Sequence, residues 1–211
     1  MNELWLKMKN YFTEHGLTEN EFADLAYDTV GIAEAIAFYS HRGQHRLNGE
    51  SYYMHPMRCM VSYKNMLGLD KSNPYRFNED LLEELCIPFR GVQEVCLLHD
   101  VLEDTETPLD EIERLFADFG FESYFNLYIK QPLLLITHDK SEPYPVYINR
   151  LLVNPTASLC KLLDLVDNMN LLGLDVLGEK EINRTIGYAN YAKTLNDKWH
   201  FLEKAITYKN A

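Results

Sequence analysis

The sequence predicts an all-α fold, and three observations carry that prediction. Apolar residues recur at spacings of three and four over long stretches. Cap-and-proline pairs open helices at Thr107-Pro108 and Asn154-Pro155. No stretch alternates apolar and polar residues for long enough to form a strand.

Taken in order, Glu21 to about Ser40 carries Phe22, Leu25, Ala26, Val30, Ile32, Ile36 and Phe38 at the spacing of one largely buried helix. Glycines and polar residues in GQHRLNGESYYMHP mark a loop, and a second helix runs from there to about Leu69. From Gly68 to Arg90 the chain is irregular, with Pro74, Pro88 and one short helical piece, Asp80 to Leu85. Tyr75, Phe77 and Phe89 give this stretch apolar side chains to bury, so it reads as an ordered insertion at about 68–90 within a single domain, 1–211.

A helix then runs from Gly91 through VQEVCLLHDVLED, and Thr107 caps the next, with Pro108 in its first position. Further helices are predicted from about Tyr124 to Thr137 and from Val146 to Val153. Asn154-Pro155 starts the helix SLCKLLDLVDNMNLLG, which Gly173 stops, and a last helix runs from about Lys180 to Tyr208.

The bulk numbers exclude several functions. The 211 residues, 46% hydrophobic and 25% charged, suffice for a buried core of ordinary composition. A formal net charge of −12 repels a phosphate backbone and argues against general nucleic-acid binding. A small anionic ligand would need a local basic cluster, and Arg42, His45, Arg46 and Arg58 lie within one short window. No apolar run approaches the roughly 18 residues of a membrane span. The opening MNELWLKMKNYFTEHG lacks the apolar core of a secretory signal, so a cytoplasmic protein is expected. Cys59, Cys86, Cys96 and Cys160 form no CxxC pair and read as reduced, mostly buried thiols.

Chemistry concentrates in LLHDVLED. His99 and Asp100 are adjacent, and Glu103 and Asp104 follow one helical turn later, so all four can converge on one spot. They follow the apolar run Val95 to Leu98, and burying several ionisable groups together calls for a divalent cation. The alternative is a solvated acidic helix end. In KLLDLVDNMNLL, Asp164 and Asn168 form a polar stripe on an otherwise apolar helix, whereas Asp167 is expected on a different, solvated face. His41, His45 and His55 compete as a further imidazole ligand, and spacing alone does not choose among them.

Together these motifs resemble the HD phosphohydrolases, and more closely the RelA/SpoT-type (p)ppGpp hydrolase domain, including the small single-domain metazoan SpoT homologues. AIAFYSHRGQHRLNGESYYMHP is similar to that family's opening, LLHDVLEDTETPLDEIERLFADFG to its LLHD-x-x-ED-T segment, and KLLDLVDNM to its K-L-A-D-x-x-x-N-M segment. The likeness spans most of Ala33 to Leu172.

It implies an HD-domain helical bundle, with His55, His99, Asp100 and Asp164 as metal ligands and Mn²⁺ as the ion, other divalent transition metals being possible. It also implies Glu103 and Asp104 as the acid/base and water-orienting pair. Arg46 would stack on the guanine, and Asn168, Tyr188 and Lys161 would contact the nucleotide. On this pattern His41 is structural and His45 lies at a pocket rim. The implied reaction removes the 3′-pyrophosphate of the stringent-response alarmone.

The departures bear on substrate. Leu47 stands where the family has a basic residue, and Asn170 and Leu171 stand where it tends to have Arg and Thr. The alternatives are therefore hydrolysis of another nucleotide (a nucleoside monophosphate or a 3′-phosphorylated nucleotide) and a catalytically silent nucleotide-binding module. The extra length at 68–90 is expected either to roof the pocket or to build a homo-oligomer contact.

Overall fold

Residues 2–69, 77–171 and 177–211 are described by the computed structural model. The first helix, α1 (Glu3–Glu14), is capped by the Asn2 side chain and buries Leu4, Trp5, Met8 and Phe12. A Thr18–Glu21 capping box opens α2 (Glu19–Asp24).

The single helix expected over 21–40 is broken. A 3₁₀ turn, Leu25–Tyr27, follows α2, and the Asp28 carboxylate accepts the Gly31 N–H to cap a new helix, α3 (Thr29–Ser40). The chain doubles so tightly here that a Cβ on Gly31 would lie 2.2 Å from the Leu25 carbonyl oxygen. Apolar spacing continues across the break, so only the Asp28 cap signals it in the sequence.

A loop carrying the bridge between His45 and Ser51 leads to α4 (Met54–Leu67), which buries His55, Cys59, Met60 and Tyr63. In the irregular stretch, α5 (Glu79–Glu84) buries Leu82, and Phe77 meets Phe89 edge to face at 5.8 Å. Pro74 and Tyr75 lie outside the described residues.

Gly91 starts α6 (Val92–Leu98) at a φ of 77°, where a Cβ would meet the Tyr128 carbonyl oxygen at 2.3 Å. The helix expected through Asp104 does not run unbroken: it stops at Leu98 and resumes as α7 (Val101–Asp104). The physical cause is local. His99 Nδ1 donates to the Cys96 carbonyl at 2.8 Å, the acceptor that an unbroken helix would offer to Asp100.

The next helix, α8 (Leu109–Asp118), begins one residue later than expected. Pro108 takes the cap position in extended conformation, and the Thr107 hydroxyl bonds to Ser40 instead of capping. The short α9 (Glu122–Tyr124), a π-helical segment Phe125–Ile129 and α10 (Lys130–Ile136) cover the predicted 124–137. Two residues ahead of the predicted span comes α11 (Tyr144–Leu151), with Pro145 in its first turn.

Asn154 caps α12 (Pro155–Asn168) as expected, accepting the Ala157 N–H at 2.9 Å. This helix ends at Asn168, and the predicted stop at Gly173 lies outside the described residues. The last helix is two: α13 (Glu179–Trp199) and α14 (Phe201–Asn210) meet at His200, which has a left-handed backbone. Asn196 makes that corner, accepting the Leu202 N–H at 3.0 Å.

At the centre of the bundle, α12 packs against α4, α6, α10 and α13, while α6 also meets α3 and α4. Ile32, Ile36, Tyr63, Leu67, Val95, Leu97, Leu159 and Leu165 fill the space between these helices and are fully buried. Among the described residues there is no strand and no helix long and apolar enough to cross a membrane. All four cysteines are free; Cys59, Cys96 and Cys160 are buried, and Cys86 is exposed.

Candidate metal centre

The packing of α4, α6 and α12 brings three distant motifs to one point. His55 comes from the first turn of α4, His99 and Asp100 from the break after α6, and Asp164 from α12. His55 Nε2 lies 2.9 Å from Asp164 Oδ1 and 3.7 Å from Asp100 Oδ2. His99 Nε2 lies 3.2 Å from Asp100 Oδ2 and 3.7 Å from Asp164 Oδ1. The two histidines and Asp164 are buried, and Asp100 is partly exposed.

Each imidazole is held from behind, which fixes its proton. His55 Nδ1 donates to Asp167 Oδ2 at 2.6 Å, and His99 Nδ1 donates to the Cys96 carbonyl. Both Nε2 atoms are thereby turned toward the carboxylates. His99 Nε2 is buried without a hydrogen bond among the described residues.

Burial pushes both imidazoles toward the neutral form, but the facing carboxylates outweigh it and raise both pKa values, that of His99 strongly. Burial likewise works against charge on Asp164, yet the Lys161 ammonium at 2.6 Å and the two imidazoles hold it well below the usual carboxylate range. Asp100 is held below that range against its own burial, chiefly by His99.

Two imidazole nitrogens and two carboxylate oxygens, mutually close and mostly buried, make a donor set that suits Mn²⁺, Fe²⁺ or Zn²⁺, with the ion taking the place of the shared protons. The orphaned Nε2 of His99 fits that use. Among the described residues, the donor atoms of His55, Cys59 and His99 all lie within 4.8 Å of one another. Cys59 Sγ, however, sits 3.9 Å from His55 Nδ1, the nitrogen already bonded to Asp167, and burial raises its pKa so that the thiol keeps its proton. The carboxylate set is the better match.

Glu103 and Asp104 stand beside this cluster on α7. Glu103 accepts the His138 N–H at 3.1 Å, and burial, with Asp100 and Asp104 nearby, raises its pKa. Asp104 lies 3.3 Å from the Tyr52 hydroxyl and 3.7 Å from Lys140. Tyr52 donates to Asp100 Oδ2 at 2.8 Å and stacks on His41, so one phenol spans ligand carboxylate and neighbouring acid.

Beyond Tyr52 opens a cavity of about 480 Å³, lined among others by Arg46, Leu47, Arg58, Asn168, Arg184 and Tyr188. Arg46 bonds to Asp167 at 3.0 Å and to Asn168 at 2.5 Å; Leu47 is 84% exposed at the rim. Lys161 points elsewhere, to Asp164, over the Tyr147 ring. His41 is buried against Gln44, and His45 is exposed on the cavity rim.

One expectation is overturned. Asp167 is not solvated: its side chain is 8% exposed and gathers His55, Arg46 and Arg58. A three-residue step from Asp164 returns to the same helix face, which was the available signal. Sequence reasoning also missed Tyr52, whose placement depends on the loop before α4.

A solved structure, described as that of a metazoan ortholog of SpoT that hydrolyses ppGpp and plays a role in starvation responses, superposes with a TM-score of 0.53 at 22% identity. The alignment covers 86% of this chain and 94% of that one. The chain folds as the SpoT ortholog does. Eight solved chains match in all, whereas no protein-family model and no curated protein sequence matches. The likeness accords with the all-α bundle expected from the sequence.

Proposed function

We propose that the protein is a metal-dependent nucleotide phosphohydrolase, held in one domain, that removes the 3′-pyrophosphate of (p)ppGpp, giving GDP or GTP and pyrophosphate. The observation that carries this reading is the convergence of His55 Nε2, His99 Nε2, Asp100 and Asp164 beside Glu103 and Asp104, next to a cavity bordered by Arg46, Asn168 and Tyr188. The fold shared with a ppGpp hydrolase supports it.

His55, His99, Asp100 and Asp164 would hold a divalent ion, Mn²⁺ in this reading, which would supply Lewis acidity toward phosphoryl oxygen and lower the pKa of water. The protein supplies the rest. Asp104 accepts the proton of the attacking water, and Glu103, whose raised pKa favours its acid form, returns a proton to the departing 3′ oxygen. Tyr52 holds Asp100 and Asp104 in register, while Arg46 stacks on the base and Asn168 and Tyr188 hold the nucleotide. In this reading Lys161 acts on the nucleotide only through Asp164.

A second reading rests on the cavity's charge. Arg46 and Arg58 are already paired with Asp167 and Glu50 and Leu47 adds no charge, which leaves Arg184 to meet the phosphates and favours a nucleotide less anionic than ppGpp, such as a nucleoside monophosphate. The test is a panel of ppGpp, 3′-phosphorylated nucleotides and nucleoside monophosphates, incubated with the Mn²⁺-loaded protein and resolved by anion exchange. GDP and pyrophosphate from ppGpp support the first reading; turnover of monophosphates alone supports the second. No turnover of any leaves a binding module.

A further inference from the structure

Asp167 is a carboxylate near the centre that the reaction above does not use, yet it accepts four hydrogen bonds from three side chains. Its Oδ2 receives His55 Nδ1 at 2.6 Å, Arg46 Nη1 at 3.0 Å and Arg58 Nη2 at 3.1 Å, and its Oδ1 receives Arg58 Nε at 2.6 Å. Arg46 also donates to Asn168 Oδ1 at 2.5 Å, and Asn168 Nδ2 donates to Asp164 Oδ1 at 2.5 Å. One arginine on the cavity wall therefore reaches two of the four proposed ligands, each through a single intermediary.

We propose that Asp167 is a positioning residue that couples the nucleotide cavity to the metal centre, orienting His55 through Nδ1 while sharing the same oxygen with Arg46. The inference rests on the function proposed above and adds a direction to it. A carboxylate behind a ligating imidazole makes the facing nitrogen a better ligand and fixes its orientation. Cations bonded to that carboxylate draw off part of its charge. A nucleotide that pulls Arg46 onto its base frees Asp167 Oδ2 for His55 and tightens the hold on the ion. By linkage, a bound ion then tightens the hold on the nucleotide.

Calorimetric titration of Mn²⁺ into wild type, Asp167→Asn and Arg46→Gln tests this. Asp167→Asn weakens Mn²⁺ binding about 10- to 100-fold, the usual scale for loss of such a partner. Its circular dichroism stays native, and kcat recovers at saturating Mn²⁺, which a general folding defect would not allow. Arg46→Gln binds Mn²⁺ as tightly as wild type or more so, but raises KM for the nucleotide. Wild-type Mn²⁺ affinity in Asp167→Asn overturns the proposal, as does equal weakening in Arg46→Gln, which would make the network packing alone. Failure of the functional reading looks different: Mn²⁺ bound by wild type with no nucleotide turned over. A wild type that takes up no Mn²⁺ removes both.

Discussion

Lys161 and Asp164, one helical turn apart on α12, form a largely buried ion pair with Nζ 2.6 Å from Oδ2. With the imidazoles of His55 and His99, the ammonium lets a buried carboxylate stay charged beside Asp100. Lys161→Met should therefore destabilise the fold, by less than the roughly 3–5 kcal/mol of a buried charge left wholly unpaired, because His55 and Asn168 still bond to Asp164. Urea denaturation of the metal-free protein measures it. A loss confined to nucleotide KM, with stability unchanged, would instead make Lys161 a substrate contact.

Glu103→Gln and Asp104→Asn should each lower kcat by about 10²-fold or more, the scale of a general acid–base group. Metal content and nucleotide affinity should hold, since Gln can still accept the His138 N–H that Glu103 receives. Elemental analysis alongside steady-state kinetics separates the roles. Loss of the metal in either variant would make that residue a ligand.

Glu94 provides a pH test away from the centre. It is buried on α6, accepts from the Thr29 hydroxyl at 2.5 Å, and has a pKa raised by burial. A raised folded-state pKa means its contribution to stability is complete below the unfolded carboxylate value, near 4.3, and is lost as pH rises through the folded value. Wild type should lose stability across that window. Glu94→Gln should flatten the slope, as read from unfolding midpoints at a series of pH values. Identical slopes would show that Glu94 does not titrate there.

Leu47 is exposed on the rim of the cavity, so Leu47→Lys needs no repacking. One charge-assisted hydrogen bond is worth about 1.5–3 kcal/mol, so KM for ppGpp should fall roughly ten- to a hundredfold. The KM for a nucleoside monophosphate should change less. Equal changes for both would place the phosphates of ppGpp away from this rim.

What the sequence disclosed follows from what periodicity can carry. Apolar spacing located most of the helices but passed over α1, and the Asn154-Pro155 pair fixed the start of α12 to the residue. Breaks within continuous apolar patterns were less visible. The His99 side chain interrupts α6, and the Asn196 side chain turns α13 into α14, and both act through hydrogen bonds that no spacing records. The same limit holds at the centre. Residue types marked His99, Asp100 and Asp164, and only the family resemblance chose His55 from three histidines, while the roles of Tyr52 and Asp167 depend on how a loop and a helix face meet across the bundle.

Metal content tests the central claim most directly. Protein purified without chelator, then titrated with Mn²⁺ in buffers of different ionisation enthalpy, should bind one ion per chain and release protons, because the facing carboxylates raise both imidazole pKa values and an ion must displace the protons this favours. His99→Ala should abolish that uptake. No transition metal in the purified protein and no uptake on adding Mn²⁺, or uptake that His99→Ala leaves unchanged, would contradict the account.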